Sequence, residues 1–276
     1  MELEFASPSP ALASVVSIYY RMRVDYARID DVERADVGYL RFFLSAKGPI
    51  TYASGPRFHA EGATLFGPSS ETARYSLTGP LDCFGCVLLP EFWGSIVDIG
   101  ADDCANRCVD ARPVFGPECA AHFAALSGLA HIDEMAKATD AFLTRRYAPL
   151  PEDQLSVIEG IGDWLRGFPI PATQKLYDSI PDKSERQTLR LANRHYGAPP
   201  KMLARKYRAL RTASRLIGTR GAIPLELIDE YSDRAHMTRD VKHFTGLTPR
   251  QLQISANPIV RATLHPDNFR ADAPWT

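Results

Sequence analysis

The chain has 276 residues, 45% of them apolar and 24% charged, an ordinary globular composition with length enough for two domains, which excludes a disordered chain. No stretch approaches the roughly 20 apolar residues that a membrane-spanning helix needs, and five cysteines, an odd number, argue against a disulfide framework. The net charge of −1 hides an asymmetry: residues 171–261 hold 17 Lys and Arg against 8 Asp and Glu, while the remainder holds 15 against 25. A basic segment on an acidic body points to a polyanion partner for that segment.

In chain order, Met1-Glu2-Leu3-Glu4-Phe5 is acidic and lacks the basic and apolar regions of a signal peptide, so a cytoplasmic protein is expected. Residues 36–90 read as β. Apolar stretches from Val37 to Ala46, Ala63 to Phe66, Arg74 to Leu77 and Cys83 to Leu89 are separated by four turn clusters. These are Lys47-Gly48-Pro49, Ser54-Gly55-Pro56, Gly67-Pro68-Ser69-Ser70 and Thr78-Gly79-Pro80, and such spacing predicts a small barrel or sandwich. Pro90 opens a predicted short helix from Glu91 to Ile99. Helices follow from Pro117 to about Gly128, Asp133 to Tyr147 and Gln154 to Phe168, the last with Leu155, Ile158, Ile161, Trp164 and Leu165 on one face. Phe168-Pro169-Ile170-Pro171 reads as a linker, where the charge balance changes sign. Beyond it helices are predicted at about 172–180, 184–196, 200–217, 223–230, 234–244 and 248–255. The organisation is thus a β-rich domain at 1–110, a helical connector and linker at 111–170, an all-α domain at 171–257 and an irregular tail at 258–276.

The all-α region contains two units of one design. Ser184 is an N-cap for a helix carrying Arg186, Arg190 and Arg194 in one stripe and stopping at Gly197, with Pro199-Pro200 starting the next. Asp233 is an N-cap for Arg234 to Phe244, with Arg234, Thr238, Arg239 and Lys242 broadly along one face, stopping at Gly246 before Thr248-Pro249. Cations and helix N-termini suit phosphate. Arg near the start of a helix suits base edges in the major groove.

Ser184-Glu185-Arg186-Gln187, Arg190, Gly197, Pro199-Pro200 and Arg208 through Leu216 resemble the first half of the DNA-binding domain of AraC/XylS-family transcription regulators. Asp233-Arg234-Ala235-His236-Met237, Lys242 and Phe244-Thr245-Gly246-Leu247-Thr248-Pro249 resemble its second half, so the resemblance covers Ala172 to Ala256. It implies an α+β protein: a small cupin-like β-barrel or sandwich for effector binding or dimerisation, following helices, and an all-α double helix-turn-helix. Carried over by position, Arg186, Leu189 and Arg190 face bases from the first recognition helix, and Arg234, Ala235, Thr238 and Arg239 from the second. Gln187 and Lys242 fall at phosphate-contact positions, and Arg194 extends the first stripe. The implied partners are double-stranded DNA, a small-molecule effector, RNA polymerase and a second copy of the chain, in an activator without a cofactor. The sequence departs from the family pattern at Thr188 and Ala192, where larger apolar residues are usual, and at Glu226 and Glu230, where Ala and a turn Gly are usual. The two glutamates motivate an alternative, a protein-interaction regulator with a degenerate second unit.

A cupin-type enzyme is the remaining alternative. Only His59 falls in the β segment, too few histidines for a metal site, and no nucleophile elbow, phosphate loop or zinc-protease motif is present. Cys83, Cys86, Cys104, Cys108 and Cys119 raise a thiol sensor or zinc site, but Cys83 and Cys86 in one strand point to opposite faces. Tyr39, Phe42, Phe43, Phe58, Tyr75 and Phe84 are candidates for lining an apolar effector pocket or for plain core.

Overall fold

The computed structural model describes residues 1–167, 169–217, 219, 221–255 and 263–264. Part of the predicted linker (Phe168), Gly218 and nearly all of the predicted tail lie outside them.

Among the described residues, seven antiparallel strands form one sheet: β1 (Glu2–Ala6), β2 (Val16–Val24), β3 (Arg28–Glu33), β4 (Gly38–Tyr52), β5 (Arg57–Phe66), β6 (Ala73–Leu88) and β7 (Cys108–Asp110). The ladder runs β1-β2-β6-β4-β5-β7, with β3 also on β6. β6 serves two neighbours on one edge, pairing with β3 through Ala73–Thr78 and with β2 through Leu81–Leu88, while β4 runs along its other edge. The expected barrel or sandwich is therefore a single sheet whose end strands, β1 and β7, do not pair with each other.

Two predicted turns are bends inside long strands. Ser54-Gly55-Pro56 and Gly67–Ser70 do connect β4 to β5 and β5 to β6. Lys47-Gly48-Pro49 instead lies within β4, where the register shifts and Gly48 (φ 157°) passes so close to β6 that a Cβ would sit 2.2 Å from the Ser76 carbonyl oxygen. Thr78-Gly79-Pro80 lies within β6, with Gly79 pressed onto the Tyr26 carbonyl. Glycine here lets a strand kink without leaving the ladder.

The predicted helix from Glu91 to Ile99 reduces to one turn, α1 (Phe92–Ser95), because Trp93 and Gly94 leave helical dihedrals. α2 (Ala111–Phe115), α3 (Pro117–Ser127) and α4 (Ile132–Thr144) follow, α3 starting with Pro at its first position. One face of the sheet (Leu40, Phe42, Leu65, Phe84, Cys86) packs with Phe115, Leu126, Met135 and Phe142 of these helices. The other face (Tyr20, Tyr39, Phe43, Leu77, Leu81, Cys83) forms a separate cluster.

The helices that follow are α5 (Glu152–Arg166), α6 (Thr173–Ser179), α7 (Glu185–Tyr196), α8 (Pro200–Leu216), α9 (Leu225–Ile228), α10 (Arg234–Thr245) and α11 (Pro249–Ser255). They share one core, built on Val157, Ile161, Trp164, Leu191, Leu203, Tyr207, Leu210, Met237, Val241 and Phe244, which also takes in Leu264 and Ala35. On α5 the burial includes Val157, absent from the predicted face, while Leu155 and Ile158 are half-buried.

Candidate functional site

α7 and α10 are built alike. Ser184 and Gln187 form a reciprocal cap on α7: the Gln187 amide N–H donates to Ser184 Oγ (3.3 Å), and Gln187 Oε1 accepts from the Ser184 N–H (2.9 Å). The Asp233 carboxylate caps α10 by accepting from the His236 N–H (2.6 Å). Each helix buries one side (Thr188, Leu191, Ala192, Tyr196; Met237, Asp240, Val241, Phe244) and ends on a left-handed glycine, Gly197 (φ 74°) or Gly246 (φ 76°). A proline-initiated helix follows each, α8 and α11. The burial leaves Arg186, Gln187, Leu189 and Arg190 exposed on α7, and Arg234, Ala235, Arg239 and Lys242 on α10, with Thr238 half-buried. Leu189 is 38% exposed beside the cationic stripe. Arg194 is half-buried and turned back onto Asp98 (3.4 Å), away from the pair at Arg186 and Arg190.

Sequence reasoning placed Thr248 only at the start of the last helix and did not single out Arg250. They share a concavity with Arg234, Thr238 and Gln253, between the starts of α10 and α11. Thr248 and Gln251 form a reciprocal cap like that of α7, so the Thr-Pro-x-Gln pattern was the available signal. The two glutamates part company: Glu226 is exposed, whereas Glu230 is half-buried with Oε2 unpaired, and burial raises its carboxyl pKa despite Arg211, Arg215 and Arg208 nearby.

α8 joins the two units, and Asp240 ties it to α10. Its buried carboxylate accepts from Arg205 Nε (2.8 Å) and Arg208 Nη2 (3.2 Å), with His236 Nε2 3.3 Å away.

A second site is a cavity of about 140 Å³ on the sheet face opposite the α3–α4 helices. Alternation in strands places its lining: Leu3 and Phe5, Ile18, Tyr20 and Met22, Tyr39, Arg41 and Phe43, Tyr75 and Leu77, Leu81 and Cys83 are spaced by two. Of the predicted aromatics, Tyr39, Phe43 and Tyr75 line it. Phe42 and Phe84 have the opposite parity and pack against the helices, and Phe58 packs on Tyr52. Arg41, not singled out from sequence, lies between Tyr39 and Phe43 on the cavity face. It is chelated by Glu33, donates from Nε to Tyr20 Oη (2.7 Å) and from Nη1 to Tyr75 Oη, and is covered by the Tyr39 and Phe66 rings.

The cavity and the helices share one segment. Glu33, Arg34 and Asp36 line the cavity. The buried Arg34–Asp36 pair (2.8 Å) also holds the Tyr39 hydroxyl, and Arg34 donates to the Thr263 carbonyl (3.1 Å). On the helix side, the Ala35 N–H donates to the Phe244 carbonyl at the end of α10 (2.7 Å). Lys206 of α8 donates to the carbonyls of Asp36 (3.1 Å) and Ser69 (3.2 Å). Burial lowers the Lys206 ammonium pKa to about 8, although Asp36 opposes that. The glycines that end α7 and α10 also meet the β region: a Cβ on Gly246 would sit 2.8 Å from Val32 of β3, and one on Gly197 2.7 Å from Pro68 in the β5–β6 connection.

All five cysteines are buried. Cys83 and Cys86 fall in clusters on opposite sheet faces, and burial pushes both thiols up to about 12, the reverse of an activated thiolate. His59 is exposed, 3.8 Å from Glu61. Among the described residues no three His, Cys, Asp or Glu side chains group as metal ligands, and no helix is long and apolar enough to cross a membrane.

No family profile matches the chain, and no curated protein does. Among solved structures it is similar to ToxT from Vibrio cholerae O395, at 10% identity and a TM-score of 0.45 over 92% of this chain and 99% of that one. It is likewise similar to ToxT from the same strain bound to (E)-4-(8-methylnaphthalen-1-yl)but-3-enoic acid (10%, TM-score 0.46, 92% of this chain and 98% of that one). Unsaturated fatty acid-bound wild-type ToxT from V. cholerae strain SCE256 gives 9% identity and a TM-score of 0.46, over 92% of this chain and 96% of that one. Likeness at that level is one of coarse shape.

Proposed function

We propose that this chain is a sequence-specific DNA-binding transcription regulator of the AraC/XylS type, in which residues 171–257 carry two helix-turn-helix units and the N-terminal sheet carries an effector site. The observation that supports this reading is the repeated design of α7 and α10: capped, cationic and exposed at the start, apolar on the inner side, closed by a left-handed glycine. α8, at 17 residues, spans roughly 25 Å, a length suited to presenting two helices to adjacent major grooves about 34 Å apart. Arg186 and Arg190 are assigned to base edges, and Leu189 to a thymine methyl. Arg234, Ala235, Thr238 and Arg239 are assigned to the second half-site, and Gln187 and Lys242 to phosphates. Arg194, turned onto Asp98, stands as a backbone contact available only when that pair opens.

The test is enrichment of genomic fragments by the purified full chain beside an Arg186→Ala/Arg190→Ala variant. The expected result is a discrete motif whose affinity falls steeply with salt and by tenfold or more in the variant. Sequence-independent binding, or a motif indifferent to both substitutions, would overturn the assignment.

A further inference from the structure

We infer that the cavity on the sheet takes an uncharged, largely apolar molecule of about one ring, and that charged molecules of the same shape are rejected. This rests on the regulatory reading above and names the class of effector.

Three observations carry it. The first is size. The cavity is about 140 Å³, close to the roughly 150 Å³ apolar cavity that holds benzene and well below the roughly 300–1,000 Å³ of sites for larger ligands. The second is the walls: Leu3, Ile18, Met22, Leu77, Leu81 and Val87 offer no hydrogen bond from their side chains, and Met1 and Phe5 remain exposed at the β1 edge of the site. The third is charge. A cavity with a buried arginine invites an anionic ligand, but Arg41 already makes four hydrogen bonds, two to Glu33, one to Tyr20 and one to Tyr75. Two aromatic rings cover it as well. Arg34 is matched by Asp36 in the same way. With Asp31, the lining has three carboxylates against two guanidiniums. A ligand carboxylate would have to displace Glu33 and leave it half-buried beside a second anion. A ligand cation would lose its hydration against apolar walls, while Glu33 and Asp36 are already held by Arg41 and Arg34 and Asp31 accepts from the Val32 N–H. An uncharged ring meets neither cost.

Acetophenone, benzoate and benzamidine have the same number of heavy atoms and nearly one shape, with charges of zero, −1 and +1. Each is titrated into the full chain at neutral pH while the thermal midpoint is followed, and proton-to-proton transfer locates the bound molecule by NMR. Acetophenone is expected to raise the midpoint saturably, with transfer to the methyl groups of Ile18, Leu77 and Leu81, and at least tenfold more weakly or not at all in an Ile18→Trp variant that fills the cavity. The two ions are expected to bind at least tenfold more weakly than acetophenone. Tighter binding of benzoate or benzamidine overturns the charge argument. No saturable acetophenone binding, or binding without transfer to those methyls, overturns the site. The NMR readout stands if the variant fails to fold. Since the genomic enrichment uses no ligand, a DNA motif found alongside either negative would leave the regulator reading standing and remove only this one.

Discussion

Thr188 lies on the inner side of α7, fully buried, with its hydroxyl oxygen unpaired. A buried hydroxyl without a partner costs about 1–3 kcal/mol, and valine has nearly the same shape. Thr188→Val should therefore raise stability by about 1 kcal/mol, read as a higher denaturation midpoint with unchanged DNA affinity; a lower midpoint would mean that the hydroxyl is satisfied in solution. His122 presents the titrating counterpart. It stacks on Phe142 beneath the sheet, with Nε2 3.1 Å from the Thr139 hydroxyl. Burial, helped by Arg145, lowers its pKa to about 4. The unfolded chain binds that proton near pH 6.5 and the folded chain only near 4, so stability present above 6.5 is lost as pH falls through this window. Discounted for partial exposure, the loss is on the order of 2 kcal/mol. It should be present in wild type and absent in His122→Gln, and so appear as a change in the stability difference between the two in denaturation series at pH 7 and 4.5.

Among the elements, Asp240 is where one substitution should reach furthest. Its buried carboxylate gathers Arg205 and Arg208 of α8 against α10. Removing it leaves partly buried cations unpaired, at a cost of about 3 kcal/mol. Asp240→Ala should lower the denaturation midpoint and weaken the second half-site more than the first, checked with operators in which one half-site at a time is scrambled. α7, α8, α10 and α11 were legible in the sequence because they carry their own punctuation, as Ser184 with Gln187, Asp233, Gly197 and Gly246, and Pro200 and Pro249 show. The sheet was legible only in part. Residues 36–90 announced themselves by glycine and proline, but two of those signals mark bends in β4 and β6. β1–β3 were missed altogether. In β2, Tyr19 packs toward the helices and Tyr20 toward the cavity, so covering both faces erased the alternation that identifies a half-buried strand. The cavity was hidden for a related reason. Aromatic content nominated Phe42 and Phe84 together with Tyr39 and Phe43, and only strand parity separates them, which also brings Arg41 in.

Across the whole molecule, the sheet and the helical region meet through a buried ammonium. Lys206 is held on backbone carbonyls of Asp36 and Ser69, and its folded pKa of about 8 lies below its ordinary 10.5. Between those values the unfolded chain binds the proton and the folded chain does not, so this group makes stability rise with pH. The stability of wild type relative to Lys206→Met should grow by roughly 2 kcal/mol from pH 7.5 to 9.5, measured by denaturant titration. A flat difference would place the ammonium in water and the contact open.

Glu33, Arg34 and Asp36 line the cavity, and the backbone they belong to is bonded to α8 and to the end of α10. Traffic through such a segment runs both ways. If an occupant of the cavity changes the affinity for an operator by some factor, the operator must change the affinity for that occupant by the same factor. On the proposed regulatory reading, the protein bound to its operator and the protein free of it would then be two different detectors, answering to different concentrations of one molecule. A dose response measured without DNA would describe only the second.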